Sequence, residues 1–229
     1  WLHLMRMLPT RGLAATMAHL HYIRAVTLAC EEINRYAPVV AIDWSDTPLL
    51  TLRDQQTLRA CARYFKRELP FDRLFLYAQE RPIPWRETRK TLLSIVKKTQ
   101  GIPLGIEDSK YAALKLQRAD SQEIDVLFLG EITNTQRKTG MEHLQEFASK
   151  SRWNIVIKQG VPFDEYCRMI ARSKITISIA GGGWDCFRHY EAVALGSIPL
   201  INRPTIDAVW WHAMPEEIFF ENTFSNFIA

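Results

Sequence analysis

The sequence predicts an α/β protein built on parallel sheets, and three observations carry that expectation. Short apolar runs alternate with helix-period segments from Ile124 onward, as βαβ units do. Glycines punctuate the handovers, at Gly130, at Gly181-Gly182-Gly183 and at Gly196. With 47% hydrophobic and 24% charged residues, the 229-residue chain has globular composition and enough length to bury a core.

The first half opens helical. Ile23, Val26, Cys30 and Ile33 recur at helical spacing within Leu13–Tyr36, and Pro38 ends the pattern. Val39–Asp43 is an apolar run of the buried-strand type, closed by polar Asp43-Trp44-Ser45-Asp46 and Pro48. Leu58, Cys61, Ala62, Phe65 and Leu69 mark an amphipathic helix that Pro70 stops, and Arg73–Tyr77 reads as a further strand. Arg81-Pro82-Ile83-Pro84 and Gly101–Gly105 are loop punctuation, and the pattern changes after Gly105. Two domains follow from this, residues 1–105 and residues 106–229.

In the second domain, strand Ile124–Leu129 leads through Gly130 and a polar loop to helix Gly140–Lys150, with Met141, Leu144, Phe147 and Ala148 inward. Strand Trp153–Ile157, helix Phe163–Arg172 and strand Lys174–Ile179 come next. The triple glycine, a helix from near Asp185 and strand Ser197–Ile201 complete the series.

The formal net charge of +4 is a modest excess and does not by itself indicate a nucleic-acid binder. The densest basic stretch, Arg81 to Lys98, reads as a solvated helix and loop. Cys30, Cys61, Cys167 and Cys186 form no C-x-x-C pair, which points to reduced thiols and a cytoplasmic setting. No apolar run is long enough to span a bilayer, and the opening Trp1–Leu8 does not have the form of a signal peptide.

Ligands of open α/β sheets bind beyond the carboxyl ends of the strands, and Gly181-Gly182-Gly183 stands there. Without Cβ atoms the backbone can approach a ligand closely and aim N–H groups at an anion. The following helix adds a positive dipole end. Arg188 and Glu191 share one helix face: the guanidinium suits phosphate, and the carboxylate suits vicinal hydroxyls of a ribose or hexose. A glycine-rich turn with a surface Arg/Glu pair is the alternative reading, and the spacing matches neither the dinucleotide fingerprint nor Walker A.

Ile175–Ile201 resembles the donor-site segment of GT-B-fold glycosyltransferases, in which a strand and glycine-containing loop lead to a helix patterned like Glu191, Ala192, Gly196 and Pro199. In the variant with Arg-x-x-Glu, Arg188 matches the arginine that meets the donor phosphates. Val126–Phe147 resembles the opening of the same domain through Gly130, Lys138 and Gly140, with Arg137 and Lys138 as phosphate-side charges. The family's usual arginine after the first glycine is Glu131 here. Arg63–Leu69 is more weakly similar to a segment ahead of the hinge in some bacterial members.

The resemblance implies Rossmann-like parallel sheets of GT-B type, with residues 1–105 a reduced acceptor-side domain and residues 106–229 the donor-binding domain. It implies transfer of a hexosyl or related sugar from a nucleotide-sugar donor to a glycan, small-molecule or modified nucleic-acid hydroxyl. The nucleotide sugar is then the co-substrate, with no metal or other cofactor. The position eight before Glu191 is Gly183, so the Glu-x7-Glu of one retaining group is absent and an inverting reaction is expected. Inversion needs an acceptor-side base. Asp46 is the first candidate and Asp43 the second, with loop capping as the competing role; His19 and His21 are alternatives. His189, beside Arg188, either touches the donor or, as expected first, faces outward, and Trp184, Trp210 and Trp211 stack on a base or sugar or fill a core. Two other functions stay open: a GT-B-like module that binds a nucleotide or partner without turnover, and a glycosyltransferase of modified bases. The length suggests a truncated or minimal GT-B protein with Trp1 and Ala229 internal to a longer ancestor. Oligomeric state is not legible.

Overall fold

A computed structural model describes residues 2–77, 93, 96–207 and 209–224. The chain is α/β with two parallel sheets, one of three strands and one of five. It divides into two compact units, the first made of Trp1–Ile102 with Ile206–Val209, the second of Pro103–Thr205 with Trp210–Ala229.

In the first unit, helix α1 (Leu2–Ile33) precedes strand β1 (Val40–Asp43) and helix α2 (Leu52–Ala60). Helix α2 begins in a capping box: the Thr51 hydroxyl accepts the Asp54 amide, and the Asp54 carboxylate accepts the Thr51 amide. It ends at Ala60, and Arg63–Lys66 is strand β2, paired in parallel with β1 and with β3 (Thr99–Gly101). The helix expected to run to Leu69 is therefore two elements. Cys61 turns to an extended conformation, and as the central strand β2 gains ladder bonds on both edges, which outweigh a local helical pattern. Leu50, Leu58, Cys61, Tyr64, Leu69, Leu76 and Val96 form the core of this unit. The expected buried strand is an edge strand, with Val40 and Ile42 about half exposed. Arg73–Tyr77 is a 3-10 helix, not a strand: the Asp72 carboxylate accepts the Leu74 amide and its carbonyl accepts the Phe75 amide, closing a turn.

In the second unit, helix α3 (Asp108–Lys115) leads into β4 (Ile124–Leu129), α4 (Thr135–Lys150), β5 (Ile155–Lys158), α5 (Phe163–Ala171), β6 (Ser173–Ser178), α6 (Phe187–Leu195), β7 (Ile198–Asn202) and β8 (Phe219–Phe220). The sheet order is β5-β4-β6-β7-β8, all parallel. Strand β4 is buried on both faces. Leu127 and Leu129 join Cys167, Ile170, Ala192 and Leu195 on one side; Val126 and Phe128 join Leu144, Ile177, Ile179 and Phe220 on the other. Alternating side chains thus feed two cores from one strand, as a sheet covered on both faces requires. Helix α4 starts at Thr135, ahead of the expected Gly140, because Asn134 caps it by accepting the Arg137 amide. Gly196 ends α6 at φ 91°, a left-handed C-cap, and Arg118 donates to the terminal carbonyls of Val193 and Ala194. Among the described residues no helix is long and apolar enough to cross a membrane.

At Gly140 α4 packs closely on Ile179 and Phe224. A Cβ there would lie 2.4 Å from Ile179 Cδ1 and 2.7 Å from the Phe224 ring. Alanine gains about 1 kcal/mol of helix propensity, but overpacking costs about 1–3 kcal/mol, and contacts this short put overpacking ahead. Gly140→Ala is expected to lower the melting temperature; an unchanged or raised value in a thermal melt would contradict the close packing.

Candidate functional site

Strands β4 and β6 are neighbours whose chains leave in opposite directions, β4 towards β5 and β6 towards β7. Loops at such a switch point part at the carboxyl ends of the strands and leave a crevice. Gly130 follows β4 there, and Ile179 to Gly183 follow β6. Asn134 ties the two loops together: while its Oδ1 caps α4, its Nδ2 donates to the carbonyls of Ala180 (3.2 Å) and Gly181 (2.8 Å).

The cap fixes where Arg137 points. Its Nε donates to the Ile179 carbonyl (3.3 Å) and its Nη1 to the Glu131 carbonyl (3.1 Å), so the guanidinium lies across Gly181. A Cβ on Gly181 would stand 2.5 Å from Arg137 Nη2. Arg188, in the first turn of α6, meets it from the other side. A Cβ on Gly130 would stand 2.7 Å from Arg188 Nη2 and 3.8 Å from Arg137 Nη1, so both guanidiniums flank Gly130. A Cβ at either glycine would push a guanidinium aside, so the glycines leave the two arginines room to lie where they do.

Among the described residues no carboxylate balances the two cations; the ionisable group close enough for them to feel is the Cys186 thiol. Arg188 Nε and Nη1 are buried without a hydrogen-bond partner, and neither arginine pairs with a carboxylate among the described residues. Burial, then the charge of Arg188, pulls the Arg137 guanidinium below its ordinary value. Two like charges this close repel by a few kcal/mol even at a protein-like dielectric of about 20. The arrangement suits an anion, whose oxygens would convert repulsion into two charge-assisted contacts.

The other expected donor residues are placed differently. Lys138 projects from α4 on a face where it is largely exposed, 4.0 Å from Glu142. Glu191 does not line the same crevice as a free acceptor. Its carboxylate is buried, with Oε1 accepting from Lys110 Nζ (2.7 Å) and Oε2 from the Tyr166 hydroxyl (2.8 Å). Lys110 also sits over the rings of Phe163 and Phe187. Glu131, in place of the expected arginine, turns its carboxylate to the Gly160 amide (2.8 Å). His189 is buried, not outward: its ring meets Trp211 edge-on, and its Nε2 lies 2.9 Å from the Trp184 carbonyl and 3.4 Å from Cys186 Sγ. Trp211 is a buried packing residue against Phe219.

Asp43 and Asp46 belong to the first unit, at the end of β1. Asp43 Oδ2 accepts from Lys66 Nζ (2.7 Å) and the Tyr64 hydroxyl (3.0 Å), and Oδ1 from the Ser45 amide (2.9 Å). Burial opposes ionisation of Asp43, but the bonds from Lys66 and Ser45 outweigh it and hold the carboxyl below the ordinary aspartate range. Asp46 is exposed, and its carboxylate pairs with Arg67. His21 is exposed on α1; the side chains of His19 and Trp210 and most of the Arg81–Lys98 stretch lie outside the described residues. Within that stretch, Lys98 Nζ donates to the carbonyls of Arg59 and Cys61, closing the end of α2. Among the described residues, no group of three His, Cys, Asp or Glu side chains could hold a metal ion.

Asn134, Lys110, Tyr166 and Cys186 were missing from the sequence-based site. Asn134 had a legible signal, an N-cap residue ahead of a helical run. Lys110 and Tyr166 had none, because their roles exist only once α3 and α5 pack on α6.

Residues 121–209 match the family model described as RXYLT1 C-terminal domain, which is xylosyltransferase-related. The match takes in β4 through β7, and with them Gly130, Arg137, Gly181, Arg188 and Glu191; it supports a glycosyltransferase family for this part of the chain. No curated protein matches the chain significantly.

The Asp43–Lys66 pair yields a signed prediction. Lys66 is fully buried, so Lys66→Met leaves a largely buried carboxylate uncompensated, at a cost of about 3 kcal/mol. A carboxyl depressed by folding contributes stability above its unfolded value near 3.9, which is lost as pH falls through the lower folded value. The stability gap between wild type and Lys66→Met, measured by urea unfolding, is expected to be widest at neutral pH and to narrow below about pH 4. A gap independent of pH would contradict the pairing.

Proposed function

We propose that the chain transfers a sugar from a nucleoside-diphosphate donor to a hydroxyl acceptor, with Arg137 and Arg188 holding the donor's diphosphate. The observation that carries this reading is the pair of guanidiniums, without a carboxylate between them, at the carboxyl ends of β4 and β6. The xylosyltransferase-related match over the same strands supports it.

Breaking the bond between the anomeric carbon and the diphosphate oxygen leaves negative charge on the departing group. Fixed cations stabilise that charge most when it is fully developed, so the guanidinium pair lowers the barrier more than it tightens ground-state binding. The N-terminal end of α6, which carries Arg188, adds its dipole. In this proposal the two arginines supply the positive charge with no metal required, and the transfer is inverting. Glu191 acts indirectly: bonded to Lys110 and Tyr166, it holds α6, and with it Arg188, against α3 and α5. Asp46, the exposed carboxylate, takes the acceptor proton, whereas Asp43 positions Lys66.

A panel of UDP-, GDP- and ADP-linked sugars tests the donor reading. At least one is expected to raise the melting temperature, since a ligand at one hundred times its Kd adds about 2.7 kcal/mol. Arg137→Ala and Arg188→Ala are each expected to weaken that donor's binding by at least about tenfold, the worth of one charge-assisted contact. No stabilisation across the panel, or full stabilisation in both variants, would contradict it.

Asp46→Asn is expected to lower kcat by about 10²–10⁴-fold with donor binding unchanged, the usual scale of a lost general base. An unaltered kcat would remove Asp46 from the mechanism. A second reading, donor binding without turnover, is favoured by Glu131 in place of the expected arginine; it predicts a stabilising donor that yields neither transfer nor slow hydrolysis.

A further inference from the structure

Cys186 stands at the N-cap of α6 and its side chain makes no capping bond there. Its sulfur instead faces two polar groups, His189 Nε2 at 3.4 Å and Ser178 Oγ at 3.4 Å. The same Nε2 lies 2.9 Å from the Trp184 carbonyl, which can only accept. Nε2 therefore carries a proton, which points to the nearer carbonyl and which the sulfur can share, and the Ser178 hydroxyl can donate to the sulfur as well. Arg188 lies two residues on, and Arg137 feels the charge of Cys186. The residue as a whole is partly exposed.

We propose that Cys186 is a thiol-modification site within the anion crevice, selective for small anionic disulfides, and that the attached group closes the Arg137–Arg188 pair to diphosphate. The Cys186 thiolate attacks one sulfur of the disulfide; a new S–S bond forms and the old one breaks. The departing thiolate takes a proton from solvent. Cys186 is oxidised, half of the disulfide leaves reduced, and a thiol reductant reverses the step. The flanking guanidiniums supply the preference for an anionic reagent.

The charged and titratable groups around the sulfur agree. Those facing it are His189, Arg188 and Tyr190 from α6, Arg137 from α4, Tyr166 from α5 and the Ser178 hydroxyl from β6. Burial opposes ionisation, but His189, Arg188 and Ser178 pull the thiol down to about 6. Burial pushes Cys61 and Cys167 the other way.

The closing step rests on the diphosphate reading above, whereas the modification is measured without any nucleotide. The full chain is treated with glutathione disulfide or neutral hydroxyethyl disulfide between pH 5 and 8, and the sites are read by peptide mass spectrometry. Cys186 is expected to react first of the four cysteines and to keep about half its plateau rate at pH 6. An ordinary thiol loses about tenfold per pH unit over that range. Glutathione disulfide is expected to outpace the neutral reagent by about tenfold, an advantage that salt and Arg188→Gln both remove. Inorganic pyrophosphate is expected to slow the reaction. Modification of Cys186 no faster than Cys30, or a rate that falls tenfold per unit from pH 8, overturns the proposal. Selective reaction that pyrophosphate leaves untouched supports the modification site and overturns its link to the diphosphate.

Discussion

Two guanidinium groups held close, with no carboxylate beside them among the described residues, are the constraint around which the second unit is organised. The repulsion is resisted by groups that have little freedom. Asn134 caps α4 and pins the opposite loop, backbone carbonyls of Glu131 and Ile179 anchor Arg137, and Gly130 and Gly181 leave room where any Cβ would intrude. Below them lies a sheet buried on both faces, so the ends of β4 and β6 have no slack. Strain of this kind persists where surrounding structure over-determines it, and it marks the place where a ligand completes the charge balance.

The first unit handles charge in the opposite way. Lys66 and Glu68 are fully buried and Arg67 nearly so, yet Lys66 and Arg67 find carboxylates, in Asp43, Asp46 and Glu68. Lys66 helps hold the Asp43 carboxyl ionised, and Tyr64 and Ser45 complete the carboxylate's hydrogen bonds. A buried pair satisfied from within serves structure before chemistry, since removing either member leaves the other stranded. That internal balance separates it from Arg137 and Arg188, which have no carboxylate partner among the described residues.

The parallel strands of the second unit were legible from their apolar and β-branched residues: Ile124–Leu129 is apolar but for Asp125, and Lys174–Ile179 alternates isoleucine with Lys174, Thr176 and Ser178. Strand β2 was not. Leu58, Cys61, Phe65 and Leu69 fit a helical period, and only pairing with two remote strands makes Arg63–Lys66 extended. The site divides along the same line. Arg188 was readable from its place after a glycine loop. Choosing between Arg137 and Lys138 required knowing that α4 starts at Asn134, because neighbours on a helix point about 100° apart. Glu191 looked available beside Arg188; Lys110 and Tyr166 claim it from helices distant in sequence. His189 looked outward for want of Trp211 and Trp184, which close over it.

The account stands on where an anion binds, and a crystal structure with a nucleoside diphosphate reads that directly. It predicts the diphosphate beyond β4 and β6, with oxygens within hydrogen-bonding distance of both Arg137 and Arg188 and Lys138 turned away. A nucleotide bound elsewhere, or the two guanidiniums found paired with carboxylates and the crevice closed, would contradict it.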